Sequence, residues 1–148
     1  MPNTPNHICL LDTNIILRYA DRSHALHPIT KHAIETLKQN GYELRIAPQN
    51  CIEFWNVATR PAARNGFGLA PTDADVMLGL IEQLFPLLTD TPAIYAAWRK
   101  LVVQFGVSGV QVHDARLVAI MQVNQITQIL SFNTSDFLRY TSIGITAI

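Results

Sequence analysis

Acidic side chains are scarce in this chain, and four of them fall where chemistry could be done. Asp12 directly follows the apolar run His7-Ile-Cys-Leu-Leu11. Glu53 lies in Pro48-Gln-Asn-Cys-Ile-Glu-Phe-Trp55, Asp114 follows His113, and Asp136 closes Asn133-Thr-Ser-Asp136. Hydropathy patterning puts Asp12 at the carboxyl end of a first strand and Glu53 in the first turns of a helix after a second strand. It puts Asp114 at the start of a helix leading into a late strand, and Asp136 just past that strand. In an open parallel α/β sheet, the carboxyl ends of strands and the N-termini of the following helices share one edge, where ligands bind. The four carboxylates are therefore expected to point into one crevice. Crowded carboxylates repel, and at least one would retain a proton. A divalent cation removes that conflict, and an all-oxygen donor set suits Mg²⁺ or Mn²⁺ better than zinc. Such an ion keeps several waters, so the chemistry expected is metal-assisted hydrolysis of a phosphodiester.

Each acid also has an ordinary role. Asp12 could simply start a helix, Glu53 could be solvated, and Asp136 could shape a turn. Asp114 could be an N-cap, which is worth about 1 kcal/mol. Two features favour chemistry. Asp12-Thr13-Asn14 places three oxygen-bearing side chains straight after a strand, and Glu53 is a lone acid among Ile52, Phe54 and Trp55.

The elements that must position these residues alternate. Strands are expected over residues 7–11, 43–47, 85–88, 126–130 and 143–148. A short helix carries Ile15, Ile16, Leu17 and Tyr19. A second runs from Pro28 to Gln39 with Ile29, Ala33, Ile34 and Leu37 on its apolar face, and Asn40-Gly41 stops it. A third spans 48–59 with Ile52, Trp55, Val57 and Ala58 mostly inward. Thr72 is expected to cap a fourth, reaching about Leu84, with Asp73 and Asp75 in its first turn. Thr91 and Pro92 open a fifth that ends at Gly106, and a sixth runs from His113 or Asp114 to about Val123. Residues 131–140 are expected to be a loop with one helical turn. The reading is a three-layer α/β/α sandwich around a mainly parallel sheet, one domain over residues 7–148 with a short tail at 1–6. Strands that are almost continuously apolar are what a sheet covered on both faces requires.

Composition sets the outer limits. The chain has 148 residues, 49% of them hydrophobic and 15% charged, which excludes intrinsic disorder as its main description. Eleven Lys and Arg balance eleven Asp and Glu, so nucleic acid would have to be held by a local site and not by bulk charge. Low net charge also permits self-association. Cys9 and Cys51 sit in apolar surroundings without a CxxC pattern and read as buried free thiols. No run reaches the roughly 18 apolar residues of a membrane span, and the first residues lack a signal-peptide pattern, so a cytoplasmic setting is expected.

At these residues a family resemblance becomes specific. Leu10-Leu-Asp-Thr-Asn-Ile-Ile-Leu17 resembles the opening motif of PIN-domain nucleases. Residues 48–61, His113-Asp-Ala-Arg-Leu-Val-Ala119 and Leu130-Ser-Phe-Asn-Thr-Ser-Asp-Phe137 resemble the family's remaining motifs, in the same order. The resemblance spans nearly the whole chain and implies a Mg²⁺- or Mn²⁺-dependent ribonuclease. By it, Asp12, Glu53 and Asp114 would be the metal-binding acids and Asp136 the fourth, more variable one. Thr13 and Asn14 would be the polar residues beside the first acid, and Asn133 that of the last motif. Stand-alone bacterial members resemble VapC toxins, which implies an RNA substrate, a small antitoxin that blocks the site, and a homodimer. Residues 62–84 match no assigned role: they could shape access to the crevice or form an interface.

RNA needs cations near the acids. Arg60 and Arg64 follow the Glu53 helix and Arg116 follows Asp114, while Arg18 and Arg139 are weaker candidates. His24 and His27 read as surface residues, His113 as structural, and Trp55 and Trp98 as core or interface. Two other readings stay open from sequence. One is a phosphotransferase with Asp12 as nucleophile, although position 14 is Asn where haloacid-dehalogenase-type enzymes carry a second acid. The other is a non-enzymatic module whose acids bind a metal or a basic partner.

Overall fold

A computed structural model describes residues 7–148, so the tail expected at residues 1–6 lies outside the described residues. The pleat of the first strand, β1 (Ile8–Leu11), organises the layers around it. Cys9 and Leu11 point into one apolar cluster and Leu10 into another, each fully buried. Strands covered on both faces are what the interior of a parallel sheet requires. β1 accordingly pairs with β2 (Glu43–Arg45) on one side and β3 (Gln128–Leu130) on the other. With β4 (Thr146–Ala147) beyond β3, the sheet runs β2-β1-β3-β4 and every pairing is parallel. The carboxyl ends of β1, β2 and β3 therefore lie along one rim, with neighbouring strands carrying the chain away in opposite directions from β1.

Helices cover both faces, as a parallel sheet demands. On the Cys9/Leu11 side lie α1 (Thr13–Ala20), α2 (His27–Gln39), α3 (Pro48–Thr59) and α4 (Pro71–Leu84), which bury Ile16, Ile34, Phe54 and Ile81. On the Leu10 side lie α5 (Pro92–Gln104) and α6 (Val112–Val123), which bury Leu101 and Val118 together with Phe137 and Tyr140 from the later loop. This is the three-layer α/β/α sandwich expected. The cysteines are free and buried, and burial pushes the Cys9 thiol up to about 12 and Cys51 to about 11. Among the described residues no helix is long and apolar enough to cross a membrane.

Several boundaries differ from the sequence expectation. The strand expected at 85–88 is a single bridge, Leu87 to Ile46, because Phe85 turns its ring fully into the core and the chain leaves the sheet at once. The last strand shrinks to Thr146–Ala147, since residues Thr134–Ile143 wind into a 3₁₀ segment longer than the one turn expected. Thr72 is not the cap of α4: Ala70 holds that position, and Pro71, which has no N–H to satisfy, opens the helix. Ile29 and Ile52, expected inward, are 58% and 71% exposed. The inward positions of α3 are instead Cys51, Phe54 and Ala58, at helical spacing.

Residues 62–84 are neither lid nor appendage. The loop after α3 turns back along its last turn: Phe67, Leu69 and Gly68 donate backbone N–H bonds to the carbonyls of Val57, Ala58 and Arg60 at 3.0, 2.9 and 2.8 Å. These are carbonyls that a helix end leaves unpaired. α4 then supplies Ala74 and Ile81 to the core. Gly66 makes the clasp possible, because a Cβ there would collide with the Arg60 carbonyl. Gly66→Ala should therefore destabilise the fold by about 1–3 kcal/mol, as overpacking does. Gly79, mid-helix with open space around its Cβ position, should behave oppositely: Gly79→Ala should stabilise by about 0.5–1 kcal/mol. Denaturant unfolding checks both, and a Gly66→Ala protein as stable as the parent would refute the clasp.

Candidate functional site

Asp12 is the only acid in the buried class among the described residues. It ends β1 and caps α1, and both carboxylate oxygens are engaged. Oδ1 accepts the Thr13 N–H at 2.8 Å, and Oδ2 accepts the Ser131 hydroxyl at 2.7 Å. The main chain holds the same pair of strands, with Asp12 N–H donating to the Leu130 carbonyl at 2.9 Å. Burial pushes the Asp12 carboxyl above its ordinary value, the bonds from Ser131 and Thr13 pull it back, and the charge of Asp136 raises it further. The helix-capping role is thus real, and it also fixes the orientation of the carboxylate.

The buried polar residues concentrate here. Thr13, Gln49, Asn50 and Ser131 all stand at the rim, and of that class only Thr30 lies elsewhere. Asn50, fully buried, accepts the Ala47 N–H at 2.8 Å and donates to the Thr13 hydroxyl at 3.1 Å, which locks α3 against α1. Asn14 reaches the loop after β3, accepting from Phe132 N–H at 3.3 Å. Asn133 contributes its backbone N–H to Ser131 at 2.9 Å, while the residue itself is exposed.

The other acids come from three more segments. Glu53, half-buried on α3, accepts from Gln49 Nε2 at 3.1 Å. Asp114 lies in the first turn of α6, half-buried, and Asp136 is exposed in the 3₁₀ segment. Asp114 feels the charges of the other three. Burial first, then the charges of Asp12, Asp136 and Glu53, push Asp114 from 3.8 to about 6. Burial and the Asp12 charge likewise raise Glu53, against the Gln49 hydrogen bond and the His113 charge. The acids still do not meet at a point: among the described residues no three His, Cys, Asp or Glu side chains form a ready metal-binding group. The donor chemistry of the acids, oxygen alone around a partly desolvated negative site, fits a hard divalent cation.

The arginines separate. Arg116 stands beside the acids, its Nη1 donating to Gln49 Oε1 at 3.1 Å and its Nη2 3.6 Å from Asp90. Arg60 and Arg64 lie past the far end of α3 and do not line the cleft next to Glu53. Arg139 donates to Gln111 at 2.6 Å, and Arg18 is half-buried in the last turn of α1. His24 and His27 are half-buried, with His24 Nδ1 accepting from Leu26 N–H and His27 Nδ1 bonded to the Arg18 carbonyl. Trp98 donates to the Val112 carbonyl at 2.9 Å. Sequence reasoning missed Ser131, Gln49 and Asn50. Ser131 was findable, because it is the first polar residue after an apolar strand, in the same position relative to β3 as Asp12 is to β1.

A family model described as PIN domain matches residues 9–142. No curated protein matches significantly. Solved structures of the same fold include the VapBC2 complex of Rickettsia felis bound to a DNA fragment from its promoter. It is 11% identical over 95% of this chain and 97% of that one, with a TM-score of 0.68. VapBC-1 of nontypeable Haemophilus influenzae is 18% identical over 95% and 96%, with a TM-score of 0.67. Mycobacterium tuberculosis VapC20, a sarcin–ricin-loop-cleaving toxin, is 15% identical over 94% and 96%, with a TM-score of 0.63.

The raised Asp114 has a measurable consequence. Its charged form is disfavoured by the fold, so the stability it permits is full below about 3.8 and is lost as pH rises through about 6. Without metal, Asp114→Asn should therefore melt above the parent at about pH 7.5, with the gap closing below about pH 4. Thermal melts in EDTA across that range check this, and a variant melting at or below the parent at the upper pH contradicts it.

Proposed function

The chain belongs to the PIN domain family, and from that premise we propose that it is a Mg²⁺- or Mn²⁺-dependent endoribonuclease, the toxin of a toxin–antitoxin pair. The observation that carries this reading is the gathering of acids from separate segments at the rim around the buried, doubly hydrogen-bonded Asp12, where burial first and the neighbouring carboxylates second push Asp114 up to about 6. Asp12, Glu53 and Asp114 would hold the cation, and Asp136 would complete the set from the exposed rim. When bound, such an ion supplies Lewis-acid polarisation of a phosphodiester and makes water acidic enough to attack it.

The chain's own residues prepare that chemistry. Ser131 and the Thr13 N–H fix the rotation of the Asp12 carboxylate, and Gln49 fixes Glu53, as outer partners of metal ligands do. Asp114 holds a proton at low pH and releases it when a cation neutralises its neighbours. Metal affinity should thus rise from about pH 5 to about pH 7. Arg116 keeps guanidinium donors beyond those given to Gln49 and Asp90, and these suit a phosphate oxygen next to Glu53. This cation offsets the repulsion that the acids would exert on RNA.

VapBC complexes share this fold, which supports a small antitoxin as partner. The exposed stripe Val76, Leu80 and Leu84, spaced by four along α4, offers apolar area for a protein. A homodimer in a cytoplasmic setting completes the proposal, and the zero net charge is consistent with self-association.

Incubation with total cellular RNA tests the reading. Cleavage should require Mg²⁺ or Mn²⁺ and stop in EDTA. Asp12→Asn and Asp114→Asn should abolish it with unchanged circular dichroism, and Ser131→Ala should lower it by about 10–100-fold. Equal cleavage by parent and acid variants would overturn the reading, and metal binding without turnover would favour the binding module.

A further inference from the structure

Ile52 is out of place. It lies on α3 next to Glu53, yet 71% of it is exposed. It lines a cleft of about 600 Å³ together with Glu53, Asn56, Asp90, His113 and Arg116. That volume falls within the roughly 300–1,000 Å³ of small-molecule pockets. It suits one unstacked nucleotide and not a duplex, whose bases remain stacked inside.

The walls are held in advance. Gln49, only 8% exposed, donates from Nε2 to the His113 carbonyl at 2.8 Å and to Glu53 at 3.1 Å, and accepts from Arg116 at 3.1 Å. One buried amide therefore ties the acid site to the cation of the cleft. Asp90 stands 3.6 Å from Arg116, a loose pair that a ligand can share. The Asn56 side chain is exposed and lines the cleft. An apolar floor, an exposed amide edge and a guanidinium beside a reacting acid are the three things a base and its phosphate need.

We propose that this cleft is a subsite for one nucleotide of single-stranded RNA flanking the bond cut at the acids. Ile52 packs against the face of the base, Asn56 reads its edge, and Arg116 meets its phosphate. The inference rests on the nuclease reading, and its test separates the two.

Binding comes first. The Asp12→Asn protein, folded but unable to cut, is titrated with a fluorescent degenerate single-stranded hexaribonucleotide in Mg²⁺, and anisotropy is followed. Adding Ile52→Ala or Asn56→Ala should weaken binding by about fivefold, which corresponds to roughly 1 kcal/mol. Val103→Ala, on the exposed face of α5 away from the cleft, should leave it unchanged. Next, ends are mapped after cleavage of a randomised single-stranded library by otherwise unmodified protein. Ile52→Ala and Asn56→Ala should flatten the base preference at one position beside the cut. Binding within twofold of Asp12→Asn together with an unaltered end profile would overturn the proposal, as would no measurable RNA binding by Asp12→Asn. RNA that is bound but not cut by the parent protein would sink the nuclease reading alone, because the binding titration still decides the cleft.

Discussion

Burying a carboxylate at the rim of a parallel sheet is costly, and this protein does it at Asp12. An acid taken out of water must be hydrogen-bonded or must give up its charge. Asp12 is held from two elements at once, by the N-terminal N–H of α1 and by the hydroxyl that follows β3. The neighbouring strand pair brings these together, since β1 and β3 lie side by side and run in the same direction. The rest of the site is built on that placement. Asn50 and Thr13 lock α3 to α1, which brings Glu53 to the same rim, and α6 presents Asp114 across from it.

The arrangement costs stability. Among the described residues, the other buried polar side chains, Thr30 excepted, cluster around Asp12 while the two apolar faces of the sheet supply the core. A chain with no net charge concentrates negative charge in one place and sets a single well-anchored guanidinium, Arg116, at its side. Raised carboxyl groups are the signature of this tension: burial first, and the neighbouring charges with it, disfavour the ionised forms of Asp12, Glu53 and Asp114, the pattern that makes this rim the candidate functional site.

Much of this was legible in the sequence. Asp12, Glu53, Asp114 and Asp136 could be assigned to one rim because strand and helix periodicities are strong around them and parallel topology does the gathering. The helices α2, α3 and α5 begin at or beside prolines that announce them. Legibility failed where tertiary packing decides. Residues 85–88 are as apolar as a strand, but Phe85 is claimed by the core and only one bridge forms. Ile52 fits an inward stripe by composition, yet α3 is rotated by Phe54 and Cys51 so that Ile52 faces the cleft. Arg60 and Arg64 are near Glu53 in sequence but are carried beyond the far end of α3, whereas Arg116 arrives from a distant segment. Gln49 and Asn50 gave no sign in the sequence, because an amide's role depends on which neighbours it can reach.

The central claim is that a divalent cation belongs among these acids. The most direct measurement is anomalous scattering from crystals of the protein soaked in Mn²⁺. The account predicts a peak bounded by the carboxylates of Asp12, Glu53 and Asp114, lost in Asp12→Asn crystals grown alike. A peak on any other surface of the parent protein, or none at saturating Mn²⁺, would contradict it.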